Sequence, residues 1–420
     1  MTPEPESPQQ LLAARLALFD DAVALRIPER IPVVARFGGL LADLEGVTRQ
    51  ALYEDPELAQ RALENAMLRF APDSGSGQWH TPGPSLALGD RSTRWPGHDL
   101  PPNVSFQYHE HEFTKPEDYD AFLTDPSDWA IRTYLPRVFS KLAGLSQLPP
   151  LSFAAFGYYA AFQYSHLFAL PETVTAFEAL AEAARAQLAW LAAMADSARR
   201  LAAMGFPSLP YLRGALLEAP FDFISDTMRG MHGIFLDMRR RPDKLLAAEE
   251  KVIGIQLEVA LSASRARNCP YAFFPLHRGS DGFMSLQAFE RFYWPQLRAM
   301  MLQLIDAGIT PVVFYEGNWE QRLPYLADLP KGKTIGMFQR SDIFQVMEAL
   351  RGVMCVMGGM PVSMLSGSTP EEVRTYTRRV CQCAREGGGF IMTTDIGELE
   401  GCNPELVKVW IETTKQCAAV

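Results

Sequence analysis

Four stretches decide how this chain folds: YAFFPLHR (271–278), TPVVFYEG (310–317), KTIGMFQRSD (333–342) and GFIMTTD (389–395). Each is an apolar run that closes on a polar or charged residue, respectively His277, Glu316, Asp342 and Asp395. A short and nearly continuous apolar run reads as a parallel strand buried on both faces. Helical periodicities over 288–307, 342–350, 370–386 and 404–415, with a further strand over 353–358, separate and follow these runs. Strand–helix alternation with short links specifies a parallel sheet. Several strands whose carboxyl ends deliver polar side chains to one face describe the mouth of a (β/α) barrel.

Upstream the pattern is looser. Apolar residues recur at helical spacing from Leu11 to Arg26, and Ile31–Phe37 reads as a first strand with Arg36 near its end. Helical patterns at Val47–Tyr53 and Pro56–Leu68 lead to a run at Phe70–Asp73. Residues 74–150, rich in Gly, Pro and turn dipeptides, read as a long irregular excursion over the barrel mouth. Ser152–Gly157 is a further apolar run, followed by the aromatic string Tyr158, Tyr159, Phe162 and Tyr164. Glu172–Met204 is an alanine-rich helix whose apolar face is expected to pack on the barrel or on a second subunit, and Gly214–Ala219 reads as a strand. With about eight usable strands, the expected architecture is a single (β/α)8 TIM-type barrel domain over 11–420. A helical extension precedes it, and residues 1–10 are expected to be flexible.

Composition narrows the function classes. The chain has 420 residues, 48% of them apolar, which suffices for a large core, and its net charge of −10 gives no footprint for nucleic acid. No run is long enough to span a bilayer and no signal-peptide pattern opens the chain, so a cytoplasmic location is expected. The six cysteines form no CxxC and read as reduced thiols.

The candidate site residues follow from strand ends. His277 titrates near neutrality and Asp281, in HRGSDG, is placed to orient it; the competing role is a loop histidine that caps the next helix. Glu316 in YEGNW must be solvated, paired or metal-bound. Asp395 is either a site carboxylate or a helix N-cap. Arg36 and Asp73, at the ends of early runs, are site residues or a rim salt bridge, and Arg229, with Arg213 upstream, is a carboxylate clamp or a helix-surface residue. Tyr159, Tyr315 and Trp319 are expected to line an apolar pocket. His109-Glu110-His111-Glu112 has the look of a metal sequence, but among turn-rich segments it reads as an exposed loop.

These segments together resemble the uroporphyrinogen decarboxylase superfamily, which also contains corrinoid-linked methyltransferases. The carrying stretches are APFDFISDTMRG (219–230), PLHRGSDGFMSLQAFERFYWPQL (275–297), VVFYEGNWEQRLPYLADLPKG (312–332), MGGMPVSMLSGSTPEEV (357–373) and GGGFIMTTDIGELEGCNPELVK (387–408). The resemblance implies a TIM-type barrel with its site at the strand carboxyl ends, and a homodimer. It also marks departures. The arginine-rich segment of the decarboxylases reads ARFGGLLADLE here, keeping only Arg36, and their histidine after the last strand is replaced by TTDIGE. The HxC zinc motif of the methyltransferases reads Phe314-Tyr315-Glu316.

Three functions follow from this resemblance. The first is methyl transfer from a small O- or N-methylated substrate to cobalamin carried by a separate corrinoid protein. Glu316, His277 and Asp395 would then bind a divalent metal, zinc or other, or supply acid–base help. The second is decarboxylation of a tetrapyrrole or other polycarboxylate without any cofactor, with Arg36 and Arg229 on the carboxylates and Asp73 stabilising charge. The third is a non-catalytic barrel that binds a corrinoid or a partner protein.

Overall fold

The computed structural model describes residues 7–78, 80–151, 160–209, 214–395 and 397–417. Among the described residues, short parallel strands form the centre: β1 Val34–Arg36, β2 Ser74–Ser76, β3 Ala215–Leu216, β4 Tyr271–Leu276, β5 Thr310–Tyr315, β6 Ile335–Phe338, β7 Cys355–Met360 and β8 Phe390–Thr394. Strands β3 to β8 pair in sequence order as one sheet, β1 pairs with β2, and a parallel bridge from Val33 to Met392 links the two sets. The result is an α/β fold with barrel-like architecture. The predicted run Ser152–Gly157, with Tyr158 and Tyr159, lies outside the described residues, as does Arg213.

Helices flank the sheet, among them α1 Pro8–Val23, α2 Pro171–Ala203, α3 Pro242–Arg267, α4 Trp294–Asp306, α5 Ile343–Leu350, α6 Val362–Gly367, α7 Pro370–Arg385 and α8 Pro404–Gln416. Their starts are written in the sequence. Ser7, Thr369 and Asn403 each precede a proline that opens a helix, and their side chains accept from the orphan amides of the first turn. Thr369 and Glu372 close a full capping box in STPEEV. No helix among the described residues is long and apolar enough to cross a membrane.

Strand periodicity sorts the core into two layers. Val34, Phe273, Val312, Phe314, Ile335, Met337, Cys355, Met357 and Ile391 form one cluster inside the curved sheet, and Phe19 and Ala22 of α1 join it. Ala35, Phe274, Val313, Tyr315, Phe338, Val356 and Met392 belong to the other cluster, packed against the helices. Successive strand side chains point to opposite faces, so Arg36 at the end of β1 shares the inner parity, and His277 and Glu316 continue it past the ends of β4 and β5.

One early expectation is displaced. The predicted run at Phe70–Asp73 is not a strand: Phe70 ends the helix Pro56–Phe70, Ala71 turns left-handed at φ 46°, and the strand begins at Ser74. Asp73 therefore stands at the amino end of β2, away from the carboxyl ends that form the mouth. It is fully buried, takes both terminal nitrogens of Arg30 at 2.7 and 2.6 Å, and accepts from the amide of Val33 at 2.9 Å. Asp73 thus clamps Arg30 and the backbone at Val33 at the amino end of the sheet and does not join His277 and Glu316 at the mouth. Replacing it by Ala strands the Arg30 charge and the Val33 amide, and is expected to cost about 3–5 kcal/mol of stability. Denaturant unfolding of Asp73→Ala reads this; a loss well under 1 kcal/mol contradicts the clamp.

Candidate functional site

The site is organised from beneath by Asp222, which is fully buried. Its carboxylate accepts from the backbone amides of His277 and Arg278 at 2.8 and 3.1 Å and from the hydroxyl of Tyr293 at 2.7 Å. Three donors on one carboxylate fix the turn that leaves β4. One helical turn on from Asp222, Asp226 hydrogen-bonds Nδ1 of His277 and accepts from Nε of Arg278 at 2.9 Å. With Nδ1 held, Nε2 of His277 looks across the mouth at Glu316, 3.7 Å from Oε1. That distance is too long for a hydrogen bond and leaves an electrostatic contact.

The electrostatics fit a proton-handling site. Burial works against the charged imidazole of His277, but the hydrogen bond and charge of Asp226, with Asp222 and Glu316, outweigh it and raise the group to about 9. His277 is an imidazolium at neutral pH. Burial, with the neighbouring Asp226, pushes Asp222 and Glu218 up to about 7 each. Burial also raises Glu316 against the pull of His277 and Arg36, and raises Glu398 against Arg36. Arg36 closes β1 at this same mouth: burial lowers it, while Glu398 and Glu316 oppose that shift.

The surrounding chain holds these groups in place. Arg278 is bound by Ser225, Asp226 and Glu110. The segment 108–114 lies on the helical stretch that carries Asp226: Tyr108 donates to the carbonyl of Asp226, and the amide of Thr114 donates to the carbonyl of Met228 at 2.8 Å. In the sequence 109–112 the carboxylates point to the protein, Glu110 to Arg278 and Glu112 to Arg229. The two histidines pair with each other at 2.6 Å.

Several expected site residues have other work. Asp281 does not orient His277; it accepts from the amide of Gln321 at 2.9 Å and lies 3.5 Å from Arg322. Arg229 is 1% exposed, with its guanidinium committed to Asp237, Glu112 and the carbonyl of Thr114, so it cannot clamp a substrate carboxylate. Tyr315 and Trp319 are fully buried on the helix side of the sheet, where Tyr315 stacks on Phe338 at 4.7 Å; they support the site and do not line a pocket. Trp319 donates from Nε1 to the carbonyl of Glu316 at 2.8 Å and so fixes the loop that presents it. Asp395 accepts from the amide of Val362, the first residue of α6, at 2.8 Å. Tyr159 lies outside the described residues, and Phe162 of the same aromatic string is 72% exposed.

The expected metal set is therefore only partly assembled. His277 and Glu316 meet, Asp395 caps α6, and among the described residues no group of three or more His, Cys, Asp or Glu could hold a metal ion. The carboxylates that matter most, Asp222 and Asp226, stand in the quoted stretch APFDFISD but carry no strand-end signal. Their spacing of four, one turn apart on a helical face, is the only sign of them in the sequence.

Fold and site together define an α/β protein with a cluster of titratable side chains at the carboxyl ends of a parallel sheet. Residues 166–417 match the family Uroporphyrinogen decarboxylase (URO-D), and the chain belongs to that family. Among solved structures, a methyltransferase from Methanosarcina mazei has the same fold, with a TM-score of 0.61 and 13% identity over 96% of this chain and 98% of that one. No curated protein matches the sequence.

Removing the Asp226 charge tests the pairing directly. In Asp226→Asn the His277 pKa is expected to fall from about 9 toward the ordinary value near 6.5, followed by NMR titration of its ring protons. Because folding raises this pKa, the pair's contribution to stability is complete below about 6.5 and is lost as pH rises through about 9. An unchanged titration in the variant would remove Asp226 as the cause.

Proposed function

We propose that this chain is a decarboxylase of the uroporphyrinogen decarboxylase kind, acting on a tetrapyrrole or another polycarboxylate, with His277 as its proton donor. The observation that carries the reading is the His277–Asp226 pair at the end of β4, an imidazolium with Nδ1 held and Nε2 turned to the mouth. Loss of carbon dioxide breaks a carbon–carboxylate bond and leaves the electron pair on carbon. A proton from Nε2 completes the product, and solvent reprotonates the ring. Asp226 is the positioning residue, Arg36 sets positive charge beside Glu316, and Glu316 opposes the charge of His277 without taking its proton. In this reading the eight strands close into a complete (β/α)8 barrel, residues 11–420 form one domain, and the enzyme is cytoplasmic.

A second reading is favoured by the arginines. Arg229 and Arg278 are held by the chain's own carboxylates, which weakens a polycarboxylate site. The same imidazolium suits methyl transfer from an O- or N-methylated substrate, where its proton goes to the heteroatom as the bond to the methyl carbon breaks. Cobalamin on a partner corrinoid protein would supply the methyl acceptor.

Carbon dioxide release from uroporphyrinogen and from smaller polycarboxylates is the deciding assay. His277→Gln is expected to lower kcat by about 10²–10⁴-fold, and wild-type kcat is expected to fall as pH rises through about 9. No release from any of them, together with demethylation that needs an added corrinoid protein, would replace the first reading by the second.

A further inference from the structure

Two of the six cysteines meet at the end of the molecule opposite the mouth. Cys381 lies near the end of α7, and Cys417 directly follows the last residue of α8. The two helices pack against each other, and between them the two thiols are hydrogen-bonded. Both side chains belong to the core layer on the helix side of the sheet. The backbone holds Cys417 there, since its amide donates to the carbonyls of Thr413 and Thr414, each at 3.2 Å. Two residues earlier, Lys415 donates to the carbonyl of Ala71 at 2.8 Å, just before the amino end of β2.

The two thiols are not equivalent. Cys381 is 1% exposed, whereas Cys417 is half-buried and open to small solutes from solvent. Arg385, one turn beyond Cys381 on α7, keeps Nη2 buried with no hydrogen-bond partner among the described residues. The hydrogen bond from Cys381 favours a thiolate at Cys417 most, burial opposes it, and the charges of Arg385 and Arg378 add to it. The balance brings Cys417 down to about 7. The same hydrogen bond, with burial, raises Cys381 and keeps its proton in place. Burial also raises Cys355, Cys383 and Cys402, which stay unreactive thiols. A reachable thiolate beside a cation, with a second thiol already in contact, is the arrangement of a cysteine pair that closes on oxidation.

We propose that Cys417 and Cys381 form a peroxide-reactive pair that closes reversibly to a disulfide joining α8 to α7. The Cys417 sulfur attacks one oxygen of hydrogen peroxide and the O–O bond breaks. Hydroxide leaves, takes up the proton that Cys417 had released, and a sulfenic acid remains on Cys417. The Cys381 sulfur then attacks the Cys417 sulfur, so the S–S bond forms as the S–O bond breaks. The Cys381 proton departs with that hydroxyl as water. Two thiols have given up two electrons, and the peroxide is reduced to two waters. The ring so closed takes in β8 and α8 and ties the last strand–helix unit to α7. It lies at the opposite end of the sheet from His277, so the test stands whichever reaction the site performs.

The test treats the reduced full chain with hydrogen peroxide, blocks the remaining thiols in denaturant and maps the peptides. Wild type is expected to fall from six free thiols to four. It should yield one peptide pair linked through Cys381 and Cys417, which dithiothreitol releases. Cys417→Ser, at a half-buried position that spares the fold, is expected to keep its five thiols and give no link. In Cys381→Ala the sulfenic acid on Cys417 has no partner, so dimedone is expected to label it and longer exposure to carry it to sulfinic acid. Because Cys381 is buried, dimedone added to wild type together with the peroxide checks the same step without a substitution there. Six thiols surviving in the wild type would overturn the proposal. A link from Cys417 to another cysteine, or between two chains, would overturn it as well.

Discussion

Asp222 is a carboxylate with no access to water, and the rest of the site depends on how it is satisfied. Stripping a carboxylate of solvent is costly unless hydrogen bonds replace the water. Here two backbone amides and a tyrosine hydroxyl replace it. Both amides belong to the turn that leaves β4, so satisfying Asp222 fixes where His277 and Arg278 can stand. Asp226, carried by the same helical stretch, then meets both side chains. Tyr293, the third donor, is itself buried among the aromatic side chains of Phe221, Phe289 and Trp319. The geometry of the mouth is thus tied to the packing of the layer below it.

The two faces of the sheet divide the labour. Inner residues of six strands make an apolar plug, and the same parity carries Arg36 at the end of β1, His277 just past β4 and Glu316 just past β5 to the mouth. Outer residues pack on helices and hold the strands in register. The step from Phe314 through Tyr315 to Glu316 shows the rule within three residues: inner core, outer core, mouth. The same low-dielectric surroundings that stabilise the plug raise the carboxyl groups above it, so that acids ionised in water sit near neutrality here. A net charge of −10 is therefore a poor guide to the charge of the mouth at pH 7.

Much of this was legible along the chain. Tyr271–Leu276, Thr310–Tyr315 and Phe390–Thr394 lie within a residue of where the apolar runs place them, because a buried parallel strand needs only a local run of apolar residues between turns. The helix starts at Pro370 and Pro404 were equally plain, since caps and prolines act within one turn. His277 and Glu316 were found by the same local logic, standing directly after a strand. The early strands were less clear. The run Ile31–Phe37 brackets the three residues of β1 without giving its bounds, and Ser-Gly-Ser of β2 has no apolar signature.

What the sequence determined by itself is the order of strands and helices and the two residues that the central strands deliver to the mouth, for these follow from patterns a few residues long. Tertiary structure alone decided which partner each charge would meet. Asp226 reaches His277 across 51 positions of sequence, and Arg229 is withdrawn from the site by Asp237 and by Glu112, 117 positions away. Asp73 proves to stand at the wrong end of its strand, and Asp395 to serve a helix that begins 33 positions earlier. A buried charge must find its complement wherever the folded chain brings one within about 4 Å, and no local pattern records that distance.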